Sequence, residues 1–196
     1  MVAIILGLMA IGIVGYAERD YNTFEISKLN FEENPETLEV YNNDEFSDFS
    51  GILVGSRSYN QVSPNYRFGF GTYIYGQSEK VEENNRELQI YGGYLGWTLE
   101  FNLGRFLSVG TLIGGGVSVN KLDNSNNTVK EDTNYFGMAS PFISIGLPIT
   151  SGTSINLTAS TYFLSDPATQ INGEDDGYES LRIMDNKIGI EFVWKN

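Results

Sequence analysis

Apolar and polar positions alternate with a period of two along most of this chain, and no stretch carries a 3.6-residue period with helix caps. Successive side chains of a strand point to opposite faces, so each such run can be read as two faces. In residues 187–196, Ile188, Ile190, Phe192 and Trp194 share one face, while Lys187, Gly189, Glu191 and Val193 share the other. Six earlier runs behave alike, at 50–59, 66–75, 91–101, 107–120, 139–149 and 155–163. In the first, Gly51, Leu53, Gly55 and Arg57 lie together. In the second, Tyr66, Phe68, Phe70 and Ile74 face away from Arg67, Gly69, Gly71 and Tyr73. In the third, Tyr91, Leu95, Trp97, Leu99 and Phe101 oppose Gly92, Tyr94, Gly96, Thr98 and Glu100.

One face is thus large and apolar, and the other is rich in Gly, Ser and Thr. That second face is too small to be an ordinary solvated surface, but it suits the lumen of a narrow barrel. The apolar face then meets lipid. Short turns at 60–65, 102–105 and 150–153 alternate with polar stretches at 77–86, 121–134 and 165–180. Outer-membrane barrels show this asymmetry, with short turns at one end and long loops at the other. Strands of about 9–12 residues match a tilted bilayer crossing. The fold class predicted is all-β: an up-and-down antiparallel transmembrane β-barrel of eight strands in one 196-residue chain. Barrels of this class have an even strand number, so an eighth strand is expected before residue 50. The candidates are 1–16, 21–31 and 37–41, and the pattern does not choose among them.

Residues 1–17 carry no charge and are short for a membrane helix. They read as a secretory signal with Gly15-Tyr16-Ala17 as the cleavage site, or else as the first strand. Residues 18–49 form an acidic N-terminal segment that can contain the first strand, and 50–196 form the barrel.

Composition narrows the chemistry. The chain has neither Cys nor His, which removes disulfides, thiolate catalysis, the commonest metal ligand and the usual general base. A net charge of −13 leaves no basic footprint for nucleic acid. Ten of the 25 acidic residues fall between Glu18 and Asp48 and twelve more in 77–87, 121–134 and 165–180, so charge is concentrated in the connections. The run Asn172–Gly177 offers oxygen ligands, but its spacing matches no calcium loop, and no cofactor or metal is expected. Glycine strings such as Gly114-Gly115-Gly116 lie inside strands with no helix after them, so they are not phosphate-binding loops.

The order polar-x-Gly-x-x-aromatic-x-aromatic, in Lys187, Gly189, Phe192 and Trp194, resembles the C-terminal β-signal of bacterial outer-membrane proteins. This chain departs from it in placing Lys195 and Asn196 after the last aromatic. With the strand architecture of 50–196, the chain resembles the eight-stranded barrels of the OmpA and OmpX type. The resemblance implies residence in the bacterial outer membrane, contact with its lipid, and a closing strand read by the barrel-assembly machinery.

Two sets of side chains then stand out. By alternation Arg57, Arg67, Glu100, Lys187 and Glu191 face the lumen, where unpaired charge is costly, so an Arg/Lys–Glu network is expected there. Tyr66, Phe101 and Trp194 lie near the short turns and Tyr91, Tyr135 and Phe163 near the long loops, with Trp97 on the same apolar face. They are candidates for lipid-facing and girdle aromatics. No catalytic residue is assigned. The function expected is a non-enzymatic membrane scaffold or surface-interaction protein acting through acidic extracellular loops. The alternatives are a narrow porin-like channel for small solutes or ions, and a soluble lipocalin-like barrel holding an apolar ligand.

Overall fold

The computed structural model describes residues 20–31, 50–81, 86–124, 127–164, 168–170 and 184–196. Among these residues there are ten strand segments: β1 Tyr21–Asn30, β2 Ser50–Ser63, β3 Tyr66–Val81, β4 Arg86–Asn102, β5 Leu107–Asn124, β6 Asn127–Pro148, β7 Thr153–Thr161, β8 Phe163–Leu164, β9 Ala168–Gln170 and β10 Asn186–Lys195. β7, β8 and β9 pair in succession with β6 and fill one position in the wall. Eight positions therefore close into an antiparallel up-and-down barrel, completed by β5–β6 and by the seam β1–β10. The strand missing from the sequence pattern is β1, in the segment 21–31. The other two candidates, and the signal-like residues 1–17, lie outside the described residues.

The register fixes the dimensions. A circuit of paired residues runs from Ser118 through Gly92, Tyr75, Leu53, Ser27, Gly189, Thr158 and Ser144. It returns to β5 at Ser108, ten residues from its start. With a rise of about 3.3 Å per residue and strands about 4.8 Å apart, this shear gives a tilt of about 40° and a backbone radius of about 8 Å. Such a lumen is only wide enough to be filled by side chains.

Filling is achieved by cross-strand pairs of glycine and aromatic residues. Tyr73 sits over Gly55, Tyr75 over Gly92, Phe142 over Gly110 and Phe136 over Gly116, each pair directly opposite in register. A Cβ at any of these glycines would run into the partner's ring. The lumen-facing glycines are thus the space into which the large inward side chains fold. Leu29, Leu53, Leu112, Met138 and Met184 complete the packed interior.

Inside and outside are chemically inverted. Glu25 is 0% exposed and Arg57 and Glu191 are each 2% exposed, whereas Ile26, Ile190 and Trp97 are 48%, 50% and 55% exposed. Exposed apolar residues occur on β1, β2, β4, β5, β6, β7 and β10.

Two of the polar stretches are not loops as expected. β3 continues to Val81 and β4 begins at Arg86; β5 continues to Asn124 and β6 begins at Asn127. Strands of 16 to 22 residues replace the expected 9–12 and carry two hairpins beyond the rest of the wall. β1 and β10 have ten residues each, so among the described residues the strands are shorter on that side. The run Asn172–Gly177, in the third stretch, lies outside the described residues. At the opposite end the connections are short, and Gly104 makes one of them with φ +103°, a left-handed conformation suited to glycine.

Candidate functional site

The lumen holds the chemistry. Glu25 of β1 accepts hydrogen bonds from Lys187 Nζ at 2.5 Å, Ser27 Oγ at 2.5 Å, Tyr73 OH at 3.3 Å and Thr158 Oγ1 at 3.3 Å. Its second oxygen lies 3.8 Å from the Arg57 guanidinium. Arg57 donates to Glu191, which also accepts from Asn156 Nδ2 at 3.3 Å. The backbone N–H of Arg57 donates to Thr23 Oγ1. Two carboxylates and two cations from β1, β2 and β10 thus form a cluster of zero net charge. Burying charge in this way requires that partners replace water, and here both carboxylates have them.

The guanidinium of Arg57 lies 4.5 Å from the centroid of the Phe142 ring. β2 and β6 are four positions apart in an eight-position wall, so this contact crosses the full lumen. Lys187 sits over the Tyr73 ring at 4.6 Å. A tyrosine layer adjoins the cluster. Tyr73 stacks on Tyr94 with centroids 4.8 Å apart, and the hydroxyls of Tyr94 and Tyr162 are 2.7 Å apart. Nearer the short turns, Arg67 pairs with Glu100 at 3.1 Å and stacks on Tyr21 at 4.2 Å.

The sequence-derived charges therefore fall into two groups, with Arg57, Lys187 and Glu191 in one and Arg67 and Glu100 in the other. Glu25, the most connected carboxylate, was not among them. Its signal was local: Glu25 alternates with Phe24 and Ile26 in the pattern of the other strands, but it lies inside a strongly acidic stretch.

On the outer surface Trp97, Phe101, Tyr135, Phe163 and Trp194 are exposed, and Tyr66 and Tyr91 are half-buried. Tyr66 and Phe101 are directly paired with ring centroids 4.9 Å apart. Trp97 stacks on Phe68 at 5.2 Å, midway along β4 rather than at either end. Phe192 and Trp194 of the closing strand point outward, and Lys187 and Gly189 point into the lumen. Among the described residues no group of three acidic side chains is placed to hold a metal ion.

No family model and no curated protein matches the chain. Solved structures do. The attachment invasion locus protein Ail of Yersinia pestis, in complex with the heparin analogue sucrose octasulfate, aligns at 8% identity with a TM-score of 0.52, covering 89% of this chain and 96% of that one. Neisserial surface protein A aligns at 8% identity with a TM-score of 0.52, covering 90% of this chain and 96% of that one. A second structure of Ail aligns at 11% identity with a TM-score of 0.49. At such identity the likeness is one of fold, and that fold is the small eight-strand antiparallel barrel of outer-membrane proteins.

Proposed function

We propose that this chain is a non-enzymatic outer-membrane barrel with a plugged lumen, serving as a surface-interaction scaffold. The observation that carries the membrane reading is the inversion of polarity: ion pairs inside, isoleucine and tryptophan outside. A soluble barrel holding an apolar ligand would need the opposite arrangement. The girdle aromatics support it. Phe101 and Tyr91 lie ten residues apart on β4, which at the tilt derived above is about 25 Å along the barrel axis, the height of the apolar band in such proteins. In this reading Lys187, Gly189, Phe192 and Trp194 form the strand read during assembly.

The scaffold reading rests on the lumen. Side chains from opposite walls meet across it, so it serves to hold the wall rather than to conduct. Interaction then falls to the outer hairpins and acidic segments. Ail was solved with a sulfated polyanion; a net charge of −13 suits this chain instead to cationic partners. Fractionation of expressing cells, followed by gel migration of boiled and unboiled samples, tests the membrane assignment. The chain is expected in the detergent-soluble envelope fraction with faster migration when unboiled. Recovery in the soluble fraction without a heat-dependent shift would overturn it.

A further inference from the structure

One lipid-facing position breaks the apolar outer wall. Lys28 of β1 is exposed, and its paired neighbours are Ile52 of β2 and Ile188 of β10. The row of pairs continues through Ile52 and Gly76 to Tyr91 of the outer aromatic belt. Rows descend by about 3 Å per strand at this tilt, so Lys28 lies about 9 Å below Tyr91, within the apolar band. In the lipid-facing register of the described strands, Lys28 is the one charged residue between the two belts. Arg57, Arg67, Glu25, Glu100, Lys187 and Glu191 face inward, and the charges of the tall hairpins lie beyond the outer belt. Asp185, just before β10, takes its hydrogen bond from Asn186 at 2.5 Å.

A depression of about 680 Å³ surrounds this lysine. Ile26, Ile52, Leu157, Ile188 and Ile190 line it, and Ser50 stands at its outer rim. Gly76 opens its floor: a Cβ there would meet nothing nearer than 3.9 Å. The lining is therefore mainly apolar, with Gln77 and Ser78 beside Ser50 and one cation, Lys28, among them.

An ammonium group inside hydrocarbon is expensive unless it reaches an anion or the interface. Among the described strands no carboxylate shares its face of the wall between the two belts, and bilayer lipid supplies one kind of anion, the headgroup phosphate. We propose that this depression is a lipid-binding site, in which Lys28 holds the phosphate of an anionic lipid of the outer leaflet while an acyl chain lies over Gly76 between the isoleucines. The site rests on the membrane reading above. Its charge complements a lipid although the protein as a whole is acidic.

The test is native mass spectrometry of the folded chain in mixed micelles of dimyristoyl phosphatidylglycerol or dimyristoyl phosphatidylcholine. The wild type retains one phosphatidylglycerol per chain in preference to phosphatidylcholine. Lys28→Gln weakens that retention about tenfold, as expected for loss of one charge-assisted contact. Lys28→Arg keeps it, and Gly76→Leu weakens it by filling the floor while leaving the charge in place. Equal retention of the two lipids, an unaffected Lys28→Gln variant, or displacement by millimolar inorganic phosphate would overturn the site. Each variant is first checked for the heat-dependent gel shift. A wild type that shows no shift and enters neither micelle sinks the membrane reading itself, a distinct failure from an inserted barrel without lipid preference.

Discussion

Glu25 concentrates the energetics of the lumen at one residue. It is fully buried and contacts Lys187, Arg57, Ser27, Tyr73 and Thr158, so removing it leaves an ammonium group in the lumen without its carboxylate. Breaking a buried pair from one side costs about 3–5 kcal/mol, whereas replacing both partners with apolar groups costs far less. Glu25→Ala is therefore expected to lower the urea midpoint strongly, read by the fluorescence of Trp97 and Trp194, and Glu25→Ala/Lys187→Met to recover most of the loss. A single variant with the wild-type midpoint would refute this account. Arg57 and Glu191 are legible in the sequence because Arg57 is the one charge in the alternating run 50–59 and Glu191 stands between Ile190 and Phe192. Glu25 was not, because its surroundings contain so many other acidic residues that a solvated segment was the simpler reading.

Strands were legible where one face meets lipid, since only there does hydrophobicity carry a period of two. All seven runs recognised in the sequence correspond to strands, and the face assignments of 187–196 hold in β10, where Ile188, Ile190, Phe192 and Trp194 are exposed. The outer lengths of β3 to β6 look like loops in the sequence for the same physical reason. Beyond the bilayer both faces of a sheet can be polar, and the alternation vanishes while the hydrogen-bonded ladder goes on. The strand β1 shows the converse limit, with only Phe24 and Ile26 as exposed apolar residues in ten. Its lipid-facing side can be probed directly. Ile26→Arg, in the middle of the band, is expected to lose about 2–4 kcal/mol of stability in lipid vesicles, and Leu103→Arg, in an inner turn, about 1 kcal/mol or less. Equal effects in equilibrium unfolding would contradict the placement of β1 in the membrane.

For the molecule as a whole, strand number followed from counting and parity, but shear did not. A displacement of ten residues arises from the sum of eight pairings, and no local stretch of sequence records it. Shear matters here because it sets the radius of the lumen. At about 8 Å to the backbone, the four aromatics over their glycines and the Arg57–Phe142 contact leave a filled interior. The expected result in planar bilayers is therefore no stepwise conductance from the wild type. Reproducible single-channel steps would restore the channel reading.

The pairing of Glu25 with Lys187 joins residues 162 positions apart in the chain. Until β10 has docked on β1, Glu25 lacks that ammonium partner and the barrel has no seam. The contact thus acts as a latch with a built-in order of events: the first strand stays incompletely satisfied until the last one arrives. Closure over so long a separation is slow, and it cannot be completed by any fragment that stops short of the C-terminal strand. The ion pair in the lumen doubles as the barrel's own test that its seam has closed.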